Sequence, residues 1–264
     1  MKALITGASS GIGRDMAKIL SKKGYDLVLV ARDEEKLQEV KKEIETNSQI
    51  ISMDLSVEKN CKKLYEQVKD VDLLINNAGF GTCGDFTKTN LDKEINMINT
   101  NITAYHILTK LYLKDMKQKD KGQILNVASI AGFMPGPLMA TYYATKAYVV
   151  RLSEAIREEL KKEKSNVKIS ILCPGPVDTN FNNVADVEFS IKGLSSKYVA
   201  KYAVKKLEKN KFYIVPGFSI KCAKIGAKIA PTGLVSKISY KMQKRKIKYK
   251  MTYNQFLIIC FLFF

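Results

Sequence analysis

Short, nearly uninterrupted apolar runs alternate along this chain with longer stretches in which apolar residues recur every three or four positions. The runs are Ala3–Thr6, Leu27–Ala31, Ile50–Met53, Leu73–Asn76, Gln123–Ala128, Val167–Cys173 and Phe212–Val215. Between them lie 11–23, 34–46, 57–69, 91–118, 141–164 and 195–209, whose spacing puts one apolar face on a helix. A strand covered by helices on both sides shows no face to water, so it reads as continuously apolar, as Leu27-Val-Leu-Val-Ala31 does. Repeated strand–helix alternation predicts an α/β fold, a doubly wound, seven-stranded parallel sheet with helices on both faces. On this pattern residues 1–215 form a single domain. Residues 216–264 form a C-terminal extension that is basic and ends in apolar residues.

Composition narrows the chemistry. At 264 residues the chain can bury a substantial core. Its five cysteines, Cys61, Cys83, Cys173, Cys222 and Cys260, are scattered and form no Cys-x-x-Cys. That argues against a disulfide framework or a zinc site and fits a reducing, cytoplasmic setting. The one histidine, His106, excludes a multi-histidine metal site and makes a Ser-His-Asp mechanism a poor fit; it precedes an aliphatic helix pattern and reads as structural. Strand-like residues begin at Lys2, so no secretory leader is expected. The net charge of +18 is uneven: residues 1–208 hold 32 basic and all 26 acidic residues, for +6, while 209–264 hold 12 basic residues and no acid. No nucleic-acid-binding module accompanies that basic end, and no nucleic-acid partner is expected.

Candidate chemistry begins right after the first run. Thr6-Gly7-Ala8-Ser9-Ser10-Gly11-Ile12-Gly13 lies between a predicted strand and a predicted helix. Glycines there permit a tight turn and close backbone approach to a pyrophosphate, and the helix N-terminus favours that negative charge. The second strand ends at Ala31-Arg32, with Arg32 19 residues after Gly13. An acidic residue at that place suits the ribose hydroxyls of NAD, whereas arginine accommodates a 2′-phosphate. NADP(H) is therefore the expected cofactor, with NAD(H) the alternative. Asp33 reads as the N-cap of helix 34–46, and Arg14 as a solvated helix residue.

Tyr142 and Lys146 are four apart in a predicted helix, and Tyr142 follows Ser129 by thirteen residues. Positions i and i+4 share a helix face, so a phenol and an ammonium are held one turn apart. A nearby cation favours phenolate. Bringing a tyrosine from about 10 to about 7 takes roughly 4 kcal/mol. Tyr143 lacks both offsets and reads as a decoy.

Taken together, the Thr6–Gly13 loop, Asp54, Asn76-Asn77-Ala78-Gly79, Asn101, Ser129 in Asn126–Gly132, the Tyr142/Lys146 pair and Pro174-Gly175-Pro176-Val177-Asp178-Thr179 resemble the short-chain dehydrogenase/reductase family over roughly 1–215. The resemblance implies a Rossmann-type fold and an oxidoreductase that moves a hydride between nicotinamide and a carbonyl or secondary alcohol. It implies four catalytic residues. Ser129 would orient the substrate carbonyl, and Tyr142 would act as general acid or base. Lys146 would lower the Tyr142 pKa and hold the nicotinamide ribose, and Asn101 would anchor a water linking Lys146 to solvent. It implies cofactor contacts from Gly7, Ser9, Ser10, Gly11, Ile12 and Gly13 in the first loop and from Asp54 and Leu55 at the adenine. Asn77, Ala78 and Gly79 follow, with Tyr142 and Lys146. Pro174, Gly175, Val177 and Thr179 complete the set, Thr179 at the carboxamide. Ser10 stands where many NADP-binding members carry a basic residue, which leaves phosphate recognition to Arg32. A homodimer or homotetramer is implied as well.

Loops at the carboxyl ends of the strands contain Phe80, then Phe133, Met134, Leu138 and Met139, then Phe181. Such a lining suits an apolar ketone, aldehyde or secondary alcohol; relatives with such loops include hydroxysteroid dehydrogenases and 3-oxoacyl reductases. In the extension, Leu234, Ile238 and Met242 share one helical face while Lys237, Lys241, Lys244 and Lys248 follow another. This pattern suits peripheral contact with an anionic membrane. Phe256–Phe264 adds nine apolar residues, too few for a span of about 20. A helix capping the substrate pocket, a subunit contact and a non-native tail are the other readings. The alternative function is a non-catalytic dinucleotide-sensing or membrane-recruited binding protein, against which the co-occurrence of Ser129 and Tyr142 argues.

Overall fold

A computed structural model of the chain describes residues 1–179 and 193–244. In chain order its elements are β1 (Lys2–Thr6), α1 (Gly11–Ser21), β2 (Asp26–Ala31), α2 (Glu34–Lys42), β3 (Ser48–Ser52), α3 (Glu58–Gln67), β4 (Leu73–Asn76) and α4 (Leu91–Ile98). Then come α5 (Ala104–Gln118), β5 (Gln123–Val127), α6 (Ala140–Lys162), β6 (Lys168–Leu172), β7 (Val177–Asp178), β8 (Leu194–Ser195), α7 (Ser196–Leu207), β9 (Tyr213–Ile214) and α8 (Phe218–Ile229). A last helical stretch, α9, covers 232–244.

Seven strands form one parallel sheet in the order β3-β2-β1-β4-β5-β6-β9. The chain winds outward from β1 to β3, returns to the other side of β1 as β4, and winds outward again. The switch between β1 and β4 opens a crevice at the carboxyl ends of the strands, where sheets of this kind bind ligands. β7 and β8 make a separate short parallel pair.

Both faces of the sheet are covered, which explains the unbroken apolar runs. Leu4, Val28, Leu74 and Ile124 turn to one side and pack under α3, α5 and α6, through Leu64, Tyr105, Leu108 and Val150. Ile5, Leu29, Ile75 and Leu125 turn to the other and pack under α1, α2 and α7, through Met16, Leu20, Leu37 and Val204. Each fully buried aliphatic side chain stabilises the fold by about 1.5–3 kcal/mol relative to exposure.

The predicted helix 91–118 is interrupted. A π-helical turn over Asn99–Thr103 separates α4 from α5 and contains the fully buried Asn101. Single π turns inside α-helices re-aim one residue and gather at functional sites. Asp33 caps α2 as expected, accepting the Lys36 backbone N–H at 3.0 Å, with Glu34 and Glu35 in the first turn. The sequence pattern missed α8, although Ile220, Ala223 and Ala227 do repeat at helical spacing. No helix among the described residues is long and apolar enough to cross a membrane.

Candidate active site

A cavity of about 1090 Å³ lies over the crevice. Its floor is the turn after β1. Gly7 has φ +64°, and a Cβ on Gly13 would lie 2.4 Å from the Gly7 carbonyl oxygen and 2.5 Å from Asn77 Nδ2. The turn is thus folded too tightly on itself for any side chain at Gly13. It is tied to the β4 end from both directions. Thr6 Oγ1 accepts from the backbone N–H groups of Asn77 and Ala78 at 2.9 and 3.0 Å, and Asn77 Nδ2 donates to the carbonyls of Thr6 and Gly7 at 3.0 and 3.1 Å. Helix α1 then opens with no acidic residue in its first turn and no capping hydrogen bond from the side chain of Ser10, its N-cap. That leaves a positive helix end facing the cavity, suited to a phosphate.

At the β2–β3 edge the wall carries Arg32, Asp33, Lys36 and Asp54. Asp33 is committed to Lys36, capping its backbone and pairing with its ammonium at 2.5 Å. Arg32 is exposed and makes no ion pair among the described residues. Asp54 holds its own loop by accepting the Ser56 N–H at 2.9 Å. Arg14 points away to Asp15, at 2.9 Å.

At the other end, β5 and α6 bring three side chains together. Ser129 lies two residues beyond the end of β5 and caps the short turn Ile130–Phe133; its Oγ accepts the Ala131 N–H at 3.2 Å and lies 3.4 Å from the Pro174 carbonyl. Tyr142, in the first turn of α6, hydrogen-bonds to the Ser129 hydroxyl. Lys146 lies one turn on, 4% exposed, donating to the Val127 carbonyl at 3.0 Å with its Nζ 5.9 Å from the centre of the Tyr142 ring. Burial pushes the Tyr142 hydroxyl above its ordinary pKa, and the Ser129 hydrogen bond offsets this only in part. Burial also lowers the Lys146 ammonium from 10.5 to about 8. The expected downward pull of Lys146 on Tyr142 does not figure among the effects on the hydroxyl; desolvation sets the direction, and the phenol is protonated at neutral pH.

Asn101 stands behind this group. Its Oδ1 accepts the Phe80 N–H at 3.1 Å, and its Nδ2 donates to the Phe80 carbonyl at 2.9 Å and to Thr145 Oγ1 at 3.1 Å. Thr145 in turn donates to the Tyr142 carbonyl at 2.7 Å. Both amide hydrogens of Asn101 are engaged, so its side chain braces the Phe80 loop against the first turn of α6. Under the site, Asn76 Nδ2 donates to Thr109 at 3.0 Å and to Asn126 at 2.9 Å, and Asn126 donates to Ser153 at 2.9 Å. This buried polar row fixes β4 and β5 to their helices.

Of the residues singled out from sequence, Gly7, Ser9, Ser10, Gly11, Ile12, Arg32, Asp54, Leu55, Asn77, Ala78, Gly79, Ser129, Tyr142, Lys146, Pro174, Gly175, Val177 and Thr179 all line the cavity. Gly13 and Asn101 support it from behind. Phe80, Met134 and Met139 line it too. Phe133 does not; it is 8% exposed and belongs to the core beneath. Leu138 is also off the wall, and Phe181, Lys248 and Phe256–Phe264 lie outside the described residues. Sequence reasoning missed Thr145, Lys36 and the cavity-facing side of α8. In α9 it singled out Ile238 and Met242, which line the cavity as the pocket-capping reading of this segment requires, while Ser239 and Gln243 gave no signal.

Residues 1–188 match the family profile described as short chain dehydrogenase. An uncharacterized oxidoreductase of Staphylococcus epidermidis is 34% identical over 188 residues, covering 70% of this chain and 81% of that protein. The very-long-chain 3-oxoacyl-CoA reductase of Mycosarcoma maydis is 35% identical over 193 residues, which are 69% of this chain but 55% of that protein. Among solved structures, a short-chain dehydrogenase from Sphingobium yanoikuyae in complex with NADPH superposes with a TM-score of 0.78 at 27% identity, over 86% of this chain and 93% of that one. The chain belongs to the short-chain dehydrogenase/reductase family. It is accordingly an NAD(P)-dependent oxidoreductase of hydroxyl and carbonyl groups.

Proposed function

We propose that the chain interconverts an apolar ketone or aldehyde and the matching alcohol, with NADP(H) as its preferred cofactor. The observation that carries the reading is the Ser129–Tyr142 hydroxyl pair, with a buried Lys146 a turn behind and an apolar wall in front. The residues present fit a dinucleotide. The turn at Gly7–Gly13 and the start of α1 would hold the pyrophosphate, Asp54 and Leu55 would face the adenine, and Pro174–Thr179 the nicotinamide. Arg32, an exposed cation without an ion-pair partner among the described residues, supports the extra phosphate of NADP; Lys36 lies on the same wall. The S. yanoikuyae relative was solved with NADPH.

The bound cofactor supplies or accepts the hydride. Ser129 Oγ orients the carbonyl oxygen next to Tyr142. Tyr142 Oη, protonated at neutral pH, gives its proton to the oxygen as negative charge develops there, and takes it back in the oxidative direction. Lys146, charged below about pH 8, stabilises the phenolate left behind. Asn101 and Thr145 act as positioning residues for the first turn of α6. The test measures kcat/KM with NADPH and with NADH over a panel of aliphatic and aromatic ketones. A preference for NADPH of at least about tenfold, from one charge-assisted contact, is expected; equal use of both cofactors contradicts the assignment to Arg32.

A second feature favours peripheral membrane contact. Phe218, Ile225, Ile229, Leu234 and Ile238 are all exposed on α8 and α9, among Lys221, Lys228, Lys237 and Lys241 in a segment without acidic residues. Basic residues beside an anionic bilayer contribute about 1 kcal/mol each. Flotation with phosphatidylserine vesicles and with neutral ones tests it; equal recovery with both removes the idea.

A further inference from the structure

Tyr143, the neighbour of Tyr142, also faces the cavity. Its ring lies flat against Gly136, where a Cβ would come within 2.2 Å of it. The Tyr142 and Tyr143 rings are 6.1 Å apart and nearly perpendicular. The Tyr143 hydroxyl accepts from Gln243 Nε2 at 2.5 Å and from the Ser239 hydroxyl. Ser239 and Gln243 are four apart on α9 and share its inner face. They are 4% and 3% exposed and line the same cavity. With Nε2 committed to Tyr143, Gln243 Oε1 has no hydrogen-bonding partner among the described residues. A buried amide oxygen left in that state is costly and rare. The other α9 residues on the cavity wall are apolar apart from Ser239: Val235, Ile238 and Met242. The charged residues of the cavity are elsewhere: Arg32, Asp33, Lys36 and Asp54 at the β2–β3 edge, and Lys146 behind Tyr142.

We propose that Gln243 is a specificity residue whose Oε1 accepts a hydrogen bond from a neutral O–H or N–H group of the substrate, at a position other than the reacting carbonyl. Tyr143, whose hydroxyl also accepts from Ser239, holds the amide in that orientation. The substrate class is then an apolar carbonyl compound carrying a hydroxyl or an amide N–H. A charged group is disfavoured, because this part of the wall offers it no counter-ion. The proposal deepens the oxidoreductase reading above and rests on it.

The test uses the full chain, a long-chain methyl ketone and its terminal hydroxy, acetamido and methoxy derivatives. Binding is measured by calorimetry in the presence of NADP⁺, and kcat/KM with NADPH. The hydroxy or acetamido ketone is expected to bind at least about tenfold tighter than the methoxy one; whichever of the two is preferred identifies the donor as O–H or N–H. In Gln243→Met, which keeps length but no polar atom, the preference should shrink to within about twofold, mainly through KM. Gln243→Glu, which keeps an acceptor, should retain it, and carries the comparison if the Met variant does not fold. Equal binding of hydroxy, acetamido and methoxy ketones by the wild type overturns the proposal, as does a Met variant that keeps the preference. Donor-selective binding without turnover overturns the oxidoreductase reading and leaves the subsite standing. Turnover without selectivity does the reverse, and failure to bind any ketone overturns both.

Discussion

Replacing Lys146 by Met should make the protein more stable at neutral pH while abolishing its activity. Lys146 is 4% exposed, and no carboxylate offsets its burial, which takes its pKa from 10.5 to about 8. The folded state holds this proton less tightly than the unfolded chain does. Between about pH 8 and 10.5 the unfolded chain is therefore the more protonated, and stability rises with pH across that window. Below about pH 8 both states are charged and the folded one carries the whole penalty. At about 1.36 kcal/mol per pH unit, that penalty is on the order of 3 kcal/mol. Methionine of similar length removes it and forfeits one hydrogen bond to Val127, a loss of about 1 kcal/mol. The net expectation is a gain of about 2 kcal/mol at pH 7 that is gone by about pH 10 and gives way to a loss of about 1 kcal/mol once both states are neutral. Urea unfolding at pH 7 and at about pH 10 measures it, read as a shift in midpoint at constant m. A variant less stable than wild type at pH 7, or a difference identical at both pH values, would refute the reasoning. Confirmation would mark Lys146 as a group retained for chemistry against stability.

Three further substitutions probe the rest of the site. Arg32→Ser should weaken NADPH binding about 10- to 100-fold and leave NADH within about threefold, as measured by cofactor titration. Gly13→Ala puts a Cβ 2.4 Å from the Gly7 carbonyl oxygen; it should lower stability by about 1–3 kcal/mol and reduce the thermal stabilisation that NADPH confers. Asn101→Ala strands the Phe80 N–H and carbonyl and should cost about 2–4 kcal/mol in denaturant unfolding.

The sheet was legible because its strands are covered on both faces: an apolar run such as Leu27–Ala31 cannot belong to an exposed surface. The cofactor turn and the Tyr142–Lys146 pair were legible because their chemistry depends on fixed short spacings. What escaped depends on contacts between distant segments. The π turn has no local breaker to announce it, and the hydrogen bonds of its Asn101 run to Phe80 and Thr145, far away in sequence. Phe133 looked like substrate lining because it sits in a loop, yet packing beneath α8 takes it into the core. Tyr143 looked like a decoy beside Tyr142, since its partners Ser239 and Gln243 lie about a hundred residues on. The balance of effects on the Tyr142 hydroxyl was not readable either, because spacing reports the nearby cation but not the loss of water around the phenol.

The most direct measurement of the central claim is NADPH oxidation at 340 nm with an apolar ketone, comparing wild type with Tyr142→Phe under matched cofactor saturation. If the Tyr142 hydroxyl delivers the proton, kcat falls about 10²- to 10⁴-fold while the NADPH dissociation constant stays within about threefold. A Tyr142→Phe protein that reduces the ketone within a few-fold of the wild-type rate would contradict the account.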